Sequence, residues 1–229
     1  MKKLMLFLIS SIYLLQTGCK SSNIPHQNEL YSENFKGKLN TKKWVSEIEP
    51  LANSKVYTDN GKLVLDTKGG VSVWFNQPLQ GNYIITFKRK IIVNGGVNDR
   101  LSDLNVFWLT EAPANANLFT RSGKFEEYDN LKMYYVGMGG NTNTTTRFRK
   151  YQGNGDRKLL AEKNDAHYLL KANHEYQIKI IVKDDITSFW VDDEKFFEGT
   201  DEHFPSKSYF GFRSTFSHQE IWDFKVFKD

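Results

Sequence analysis

The strongest constraint on the fold of this chain is its punctuation. Short runs of β-branched and aromatic residues recur along it at 62–66, 71–75, 83–92, 104–109, 132–136, 145–151, 176–182, 187–191, 209–213 and 221–227. Such runs suit a pleated, half-buried surface. Turn signals separate them: Asp59-Asn60-Gly61, Lys68-Gly69-Gly70, Asn94-Gly95-Gly96, Gly139-Gly140-Asn141, Gly153-Asn154-Gly155 and Asp192-Asp193. No segment sustains a helical period. Roughly ten strands at this spacing predict an all-β, two-sheet sandwich. Two long connections, 110–130 and 157–173, are candidate walls of a binding site, because long loops on a rigid sandwich often carry function.

The N-terminal residues read as a targeting segment. Met1-Lys2-Lys3 supplies positive charge and an apolar run follows from Leu4 to Leu15, too short to span a bilayer comfortably. It ends at Leu15-Gln16-Thr17-Gly18-Cys19, which resembles a bacterial lipobox, with Gln16 where an aliphatic residue is usual. The expectation is a signal peptide over 1–19, lipidation at Cys19, a polar tether over 20–29 and one domain over 30–229. That would place the protein in the cell envelope, as an outer-membrane lipoprotein or in the periplasm, touching membrane only through its anchor. The alternative is secretion, with Cys19 discarded. Cys19 is the single cysteine, so disulfides and a thiol nucleophile within the domain are excluded. The net charge of +4 is mild and its charges are interspersed, which argues against a nucleic-acid binder and permits an anionic carbohydrate.

The segment Gly139 to Tyr151 carries the chemistry. A glycine-asparagine turn leads through Thr144-Thr145-Thr146 into Arg147-Phe148-Arg149-Lys150-Tyr151. Threonines favour a strand, and in a strand Arg147, Arg149 and Tyr151 share one face. A row of arginines suits carboxylates or sulfates better than a core.

Further on come a Tyr176-Gln177-Ile178 strand, the Val191-Asp192-Asp193 turn and the Gly211-Phe212-Arg213 strand. This order resembles the closing strands of concanavalin-type jelly rolls. With Tyr134–Asn141, Tyr151 and Gly211–His218, nearly the whole stretch 30–229 resembles a concanavalin-like domain family of uncertain function. That family is found largely in polysaccharide-degrading gene clusters of Bacteroidota. The architecture is more distantly similar to jelly-roll polysaccharide lyases and laminarinase-type glycoside hydrolases. The resemblance implies a carbohydrate-active jelly roll; fold kinship alone does not fix an activity.

Hydrolysis with retention needs two carboxylates about 5 Å apart. Glu127-Tyr128-Asp129 begins the laminarinase-type pattern, but Asn130, Leu131 and Lys132 follow it. β-Elimination from a uronic acid needs a neutralised carboxylate, a base for the C5 proton and an acid for the leaving oxygen. The expected set is Tyr134 and His218 for proton transfer, with Asn105, Arg147, Arg149, Tyr151 and Arg213 binding the substrate. Depending on whether a sugar or a hydroxyl leaves C4, the enzyme is a lyase or a dehydratase. Acidic oligosaccharides such as ulvan or alginate fragments are the expected partners. The alternatives are a non-catalytic glycan-binding module or a hydrolase using Glu127 and Asp129. Among the remaining histidines, His26, His167, His174 and His203 read as tether, surface or turn residues. No His/Asp/Glu spacing compels a metal, and no cofactor is expected. Trp74 and Trp108 are expected in the core, and Gly139 and Gly140 in a turn needing positive φ.

Overall fold

The computed structural model describes residues 28–113 and 117–229. The leader, Cys19 and His26 lie outside the described residues. Thirteen strands follow in order: β1 (Glu29–Glu33), β2 (Trp44–Ile48), β3 (Lys55–Asp59), β4 (Lys62–Leu79), β5 (Tyr83–Ile92), β6 (Leu104–Thr110), β7 (Lys132–Gly139), β8 (Thr145–Gln152), β9 (Arg157–Lys163), β10 (Glu175–Lys183), β11 (Ile186–Val191), β12 (Glu194–Thr200) and β13 (Ser208–Lys228).

Two of these strands each serve two sheets. Val71–Phe75 of β4 pairs with β2 and with the first part of β13. Lys62–Asp66 pairs instead with β3 and the second part of β13. The register of β13 slips between Thr215 and Ser217, where Phe216 takes φ 42°; a bulge of this kind bends a strand. The front sheet therefore runs β2-β4-β13-β6-β7-β8-β9. The back sheet runs β3-β4-β13-β5-β10-β11-β12, with β1 on β13. The result is the expected all-β jelly-roll sandwich.

Alternate residues of the front strands point into the space between the sheets. Leu104, Val106 and Trp108 do so from β6, and Tyr134, Val136 and Met138 from β7. Trp108 lies flat on Phe148 with centroids 5.8 Å apart, and Tyr134 stacks on both rings at 5.9 and 5.7 Å. Burying a ring of this size stabilises the fold by about 1.5–3 kcal/mol. The opposite side of the same strands bears a second apolar cluster, in which Trp74, Phe107, Met133 and Tyr151 are covered by Leu118, Tyr128 and Leu131 of the 111–131 connection. Trp74 and Trp108 are both buried, as expected.

Several elements differ from the sequence reading. Lys68-Gly69-Gly70 is a bend inside β4, not a turn, and 209–213 and 221–227 are parts of one strand. The 157–173 connection is half strand, because β9 occupies its start. β9 is an edge strand with Leu159 and Leu160 exposed, so it shows no inward-outward alternation to read. β1 begins at Glu29, one residue inside the expected tether.

Candidate functional site: a cationic cleft on the front sheet

Pairing registers align one polar row across the outer side of the front sheet. Glu47 faces Ser72, Ser72 faces Arg213, and Arg213 faces Asn105. Asn105 in turn faces Gly137, Gly137 faces Arg147, and Arg147 faces Glu162. The next row places Trp74, Gly211, Phe107, Tyr135 and Arg149 side by side. Arg147, Arg149 and Tyr151 thus share a face, and the hairpin sets Gly137 and Tyr135 beside the two arginines.

Over these rows lies a cleft of about 300 Å³, at the low end of ligand sites. Its floor is Tyr135, Gly137, Arg147 and Arg149; Arg100, Asp103 and Thr215 flank one side, with Phe125 and the Gly140–Thr142 turn completing the rim. A Cβ placed on Gly137 would stand 2.2 Å from the Tyr135 hydroxyl, so the tyrosine ring lies back over the glycine and carries its oxygen along the floor.

Three arginines and one carboxylate line this space. Arg100 donates to Asp103 at 2.6 Å and to the Thr215 and Phe216 carbonyls at 2.9 and 2.8 Å. Arg147 is paired with Glu162, which holds the Glu162 carboxyl below its usual value with help from Asn164. Arg149 Nε is buried without a protein partner, and so are Asn105 Oδ1, Tyr151 Oη and Arg213 Nε. Most buried polar groups find a partner, so four unmatched atoms close together make this part of the sheet unusual. Burial raises the Tyr135 and Tyr151 hydroxyls above the ordinary tyrosine value and outweighs the opposing pull of Arg149 and Arg213. Both hydroxyls are therefore protonated donors.

The floor is braced from beneath. Arg89 of β5, fully buried, donates to the carbonyls of Asn105 and Arg213 at 2.8 and 2.9 Å and to Gln219 at 2.6 Å. Burial lowers the pKa of this guanidinium, whose donors are spent on the Gln219 side chain and on the backbone of β6 and β13, the strands next to the floor. The rim is held in an unusual form. Gly139, Asn141, Thr142 and Asn143 all have positive φ, 72°, 51°, 60° and 60°, a left-handed stretch that costs a β-branched residue such as Thr142 about 1–2 kcal/mol. Asn143 fixes it by donating to the Leu170 carbonyl at 2.9 Å and accepting from Leu170 N–H at 2.8 Å.

The structure brings Arg147 and Arg149 to the cleft, with Tyr151, Asn105 and Arg213 on the same face beside or beneath it. It does not bring Tyr134 or His218 there. Tyr134 points into the core, its hydroxyl 3.3 Å from Asp201 and 3.4 Å from the Thr200 carbonyl. The physical reason is parity: Tyr134 pairs with Trp108, so it follows that tryptophan inward. His218 lies past the Phe216 bulge, where β13 has joined the back sheet, and its Nδ1 stands 3.0 Å from Asp99. The acids of the hydrolase alternative are also engaged elsewhere. Glu127 sits in a 3-10 turn and accepts from Ser122, while Asp129 forms a two-point pair with Arg157 at 2.6 and 2.7 Å. Neither lines the cleft.

Sequence reasoning passed over Tyr135, Gly137, Arg100, Asp103 and Phe125. For Tyr135 a signal existed: a short turn after β7 puts Tyr135, not Tyr134, opposite Arg149. For Arg100 and Phe125 there was none, because long-range folding brings them in.

The fold has solved counterparts. A protein of unknown function with a galectin-like fold from Bacillus subtilis superposes with a TM-score of 0.71 at 18% identity, covering 88% of this chain and 96% of that one. The carbohydrate-binding module CBM66 from Bacillus subtilis gives 0.57 at 13%, over 82% and 98%. An endo-β-1,3-glucanase from Pyrococcus furiosus gives 0.62 at 12%, over 88% and 94%. Identities this low establish shared fold alone. No curated protein matches the chain. The match that identifies it spans residues 65–224, strands β4 to β13, and the chain belongs to the family described as Domain of unknown function (DUF6250).

Proposed function

We propose that the protein is carbohydrate-active and that its cleft recognises the acidic group of a uronate- or sulfate-bearing saccharide. The observation that carries this is Arg149, a half-buried guanidinium on the cleft floor with no hydrogen bond or ion pair of its own among the described residues, beside Arg147 and the Tyr135 hydroxyl. A planar fork of donors suits a carboxylate or sulfate. The solved counterparts support the carbohydrate class, since they include a carbohydrate-binding module and a glucanase.

The test is calorimetric titration with alginate and ulvan fragments alongside neutral β-glucan fragments, at low and high salt. Binding of the acidic saccharides that weakens with salt is expected, since exposed ionic contacts are screened. Equal binding of the neutral glucan would overturn the reading.

A second reading is favoured by Tyr135: the bound uronate undergoes β-elimination. Retaining hydrolysis asks for two carboxylates, and among the described residues only Asp103 lines the cleft. Elimination asks for less. Arginines neutralise the uronate carboxylate, Asp103 accepts the C5 proton, the C4–O bond breaks as the C4–C5 double bond forms, and Tyr135 donates its proton to the departing oxygen. Ultraviolet absorbance from the conjugated product during incubation tests it, and product mass separates lyase from dehydratase. A flat trace with intact binding leaves a glycan-binding module.

A further inference from the structure

A groove that grips a polysaccharide in mid-chain must be open at both ends. This one is not. The polar row of the front sheet crosses from β2 to β9, yet the Ser122–Tyr128 segment lies over its β2-β4-β13 half. Arg213 Nη1 donates to the Gly123 carbonyl at 2.5 Å. A Cβ on Gly70 would stand 2.1 Å from that same carbonyl oxygen, and one on Gly123 would stand 2.6 Å from the Glu49 nitrogen. Backbone thus rests directly on backbone, with no passage between.

The wall is anchored on both flanks. Glu47 accepts from Arg121 N–H at 2.6 Å and from the Tyr128 hydroxyl at 2.8 Å. Phe125 closes the inner end: its ring centroid lies 5.9 Å from that of Tyr135 and 5.1 and 4.4 Å from the Arg213 and Arg157 guanidiniums. In the other direction the row of Tyr135 and Arg149 continues to Leu159 of the edge strand β9, which is 48% exposed.

From this asymmetry we infer that the cleft accepts a chain end of an acidic saccharide, not its interior, and that the Ser122–Tyr128 wall imposes this choice. The inference rests on the acidic-saccharide reading of the cleft. It deepens that reading by naming the terminal sugar as the unit bound against Phe125 and Tyr135, with the rest of the chain leaving over β9.

The experiment compares high-mass alginate with the same alginate partially depolymerised, titrated by calorimetry into the whole protein at equal mass of sugar. Sites per gram are expected to rise in proportion to the number of chain ends. Sites that track total mass, whatever the number of ends, would overturn the inference. Absence of binding to either sample would instead sink the underlying reading of the cleft. Phe125→Ala provides the second measurement: it removes the ring at the closed end of the cleft and leaves the Gly123 backbone wall in place. Oligomer binding should weaken severalfold while sites per gram still rise with the number of chain ends. Unchanged oligomer affinity in a folded variant would overturn the placing of the terminal sugar against Phe125.

Discussion

Tyr134 and Tyr135 are consecutive in β7 and serve opposite sides of the front sheet. The first packs against both Trp108 and Phe148 in the core; the second lies over Gly137 on the cleft floor, facing Arg149 across the hairpin. Period-two alternation makes neighbours in a strand the least alike in environment. Which tyrosine a mechanism can use is therefore fixed by the register of one hairpin.

That relationship yields a paired prediction. On the elimination reading, Tyr135→Phe removes the single proton donor that Tyr135 offers the cleft, and turnover, measured as conjugated-product absorbance, should fall about 10²–10⁴-fold with binding weakened far less. Tyr134→Phe gives up only two long contacts at 3.3 and 3.4 Å and should leave both quantities unchanged. Activity lost in the second variant and kept in the first would reverse the assignment.

The two cleft arginines should not be equivalent. Arg147 already has a carboxylate in Glu162, whereas Arg149 Nε is unmatched. Arg149→Ala should cost about 1.5–3 kcal/mol of binding to an acidic saccharide, the worth of hydrogen bonds to a charged group. Arg147→Ala should cost less, since it releases a pairing as well as a contact. Arg149→Lys keeps the charge but loses the fork, so calorimetry should place it nearer the alanine variant than the parent. Equal losses at the two positions would argue against a specific role for Arg149.

Much of this was legible in the sequence, and the limits have physical causes. The alternating strands and their glycine turns gave the sandwich, and the Arg147-Arg149-Tyr151 face followed from parity alone. The strands missed are β1, β2, β3, β9 and β12, each only five or seven residues long and paired on one side only, so their sequence pattern is short and weakly constrained by burial. Arg213 and Asn105 were placed on the correct face. His218 was grouped with Arg213 because the two are close in sequence, but the Phe216 bulge between them sends the strand from one sheet to the other. Nothing local signals that the 111–131 connection folds back over Trp74 and Phe107, since its grip depends on Glu47 and Arg213, residues far away in sequence.

Burial makes the fold sensitive to alkali. Tyr83, Tyr128, Tyr134, Tyr135 and Tyr151 are all raised by burial above the ordinary value of 10.0. A group whose folded value is raised stabilises the native state fully below the unfolded value. Above pH 10 the unfolded chain has released protons that the native chain keeps, so stability falls as pH climbs. The expected outcome is one cooperative step above that pH, in which tyrosinate absorbance and loss of near-ultraviolet circular dichroism coincide. Tyrosines ionising one by one near pH 10 in a chain that stays folded would contradict the burial described.

Gly137 offers the most direct test of the cleft floor. Its φ is not positive, so the backbone itself accepts alanine. The added methyl carbon would lie 2.2 Å from the Tyr135 hydroxyl oxygen and 2.7 Å from the ring carbon bearing it, closer than unbonded atoms approach. Tyr135 must therefore swing off the floor, and the strain of overpacking, about 1–3 kcal/mol, falls on that ring and not on the core. Gly137→Ala should fold, with a modest loss in thermal stability, and on the elimination reading its turnover should drop as expected for Tyr135→Phe. A variant that keeps full turnover would show that the hydroxyl need not lie where the glycine now lets it.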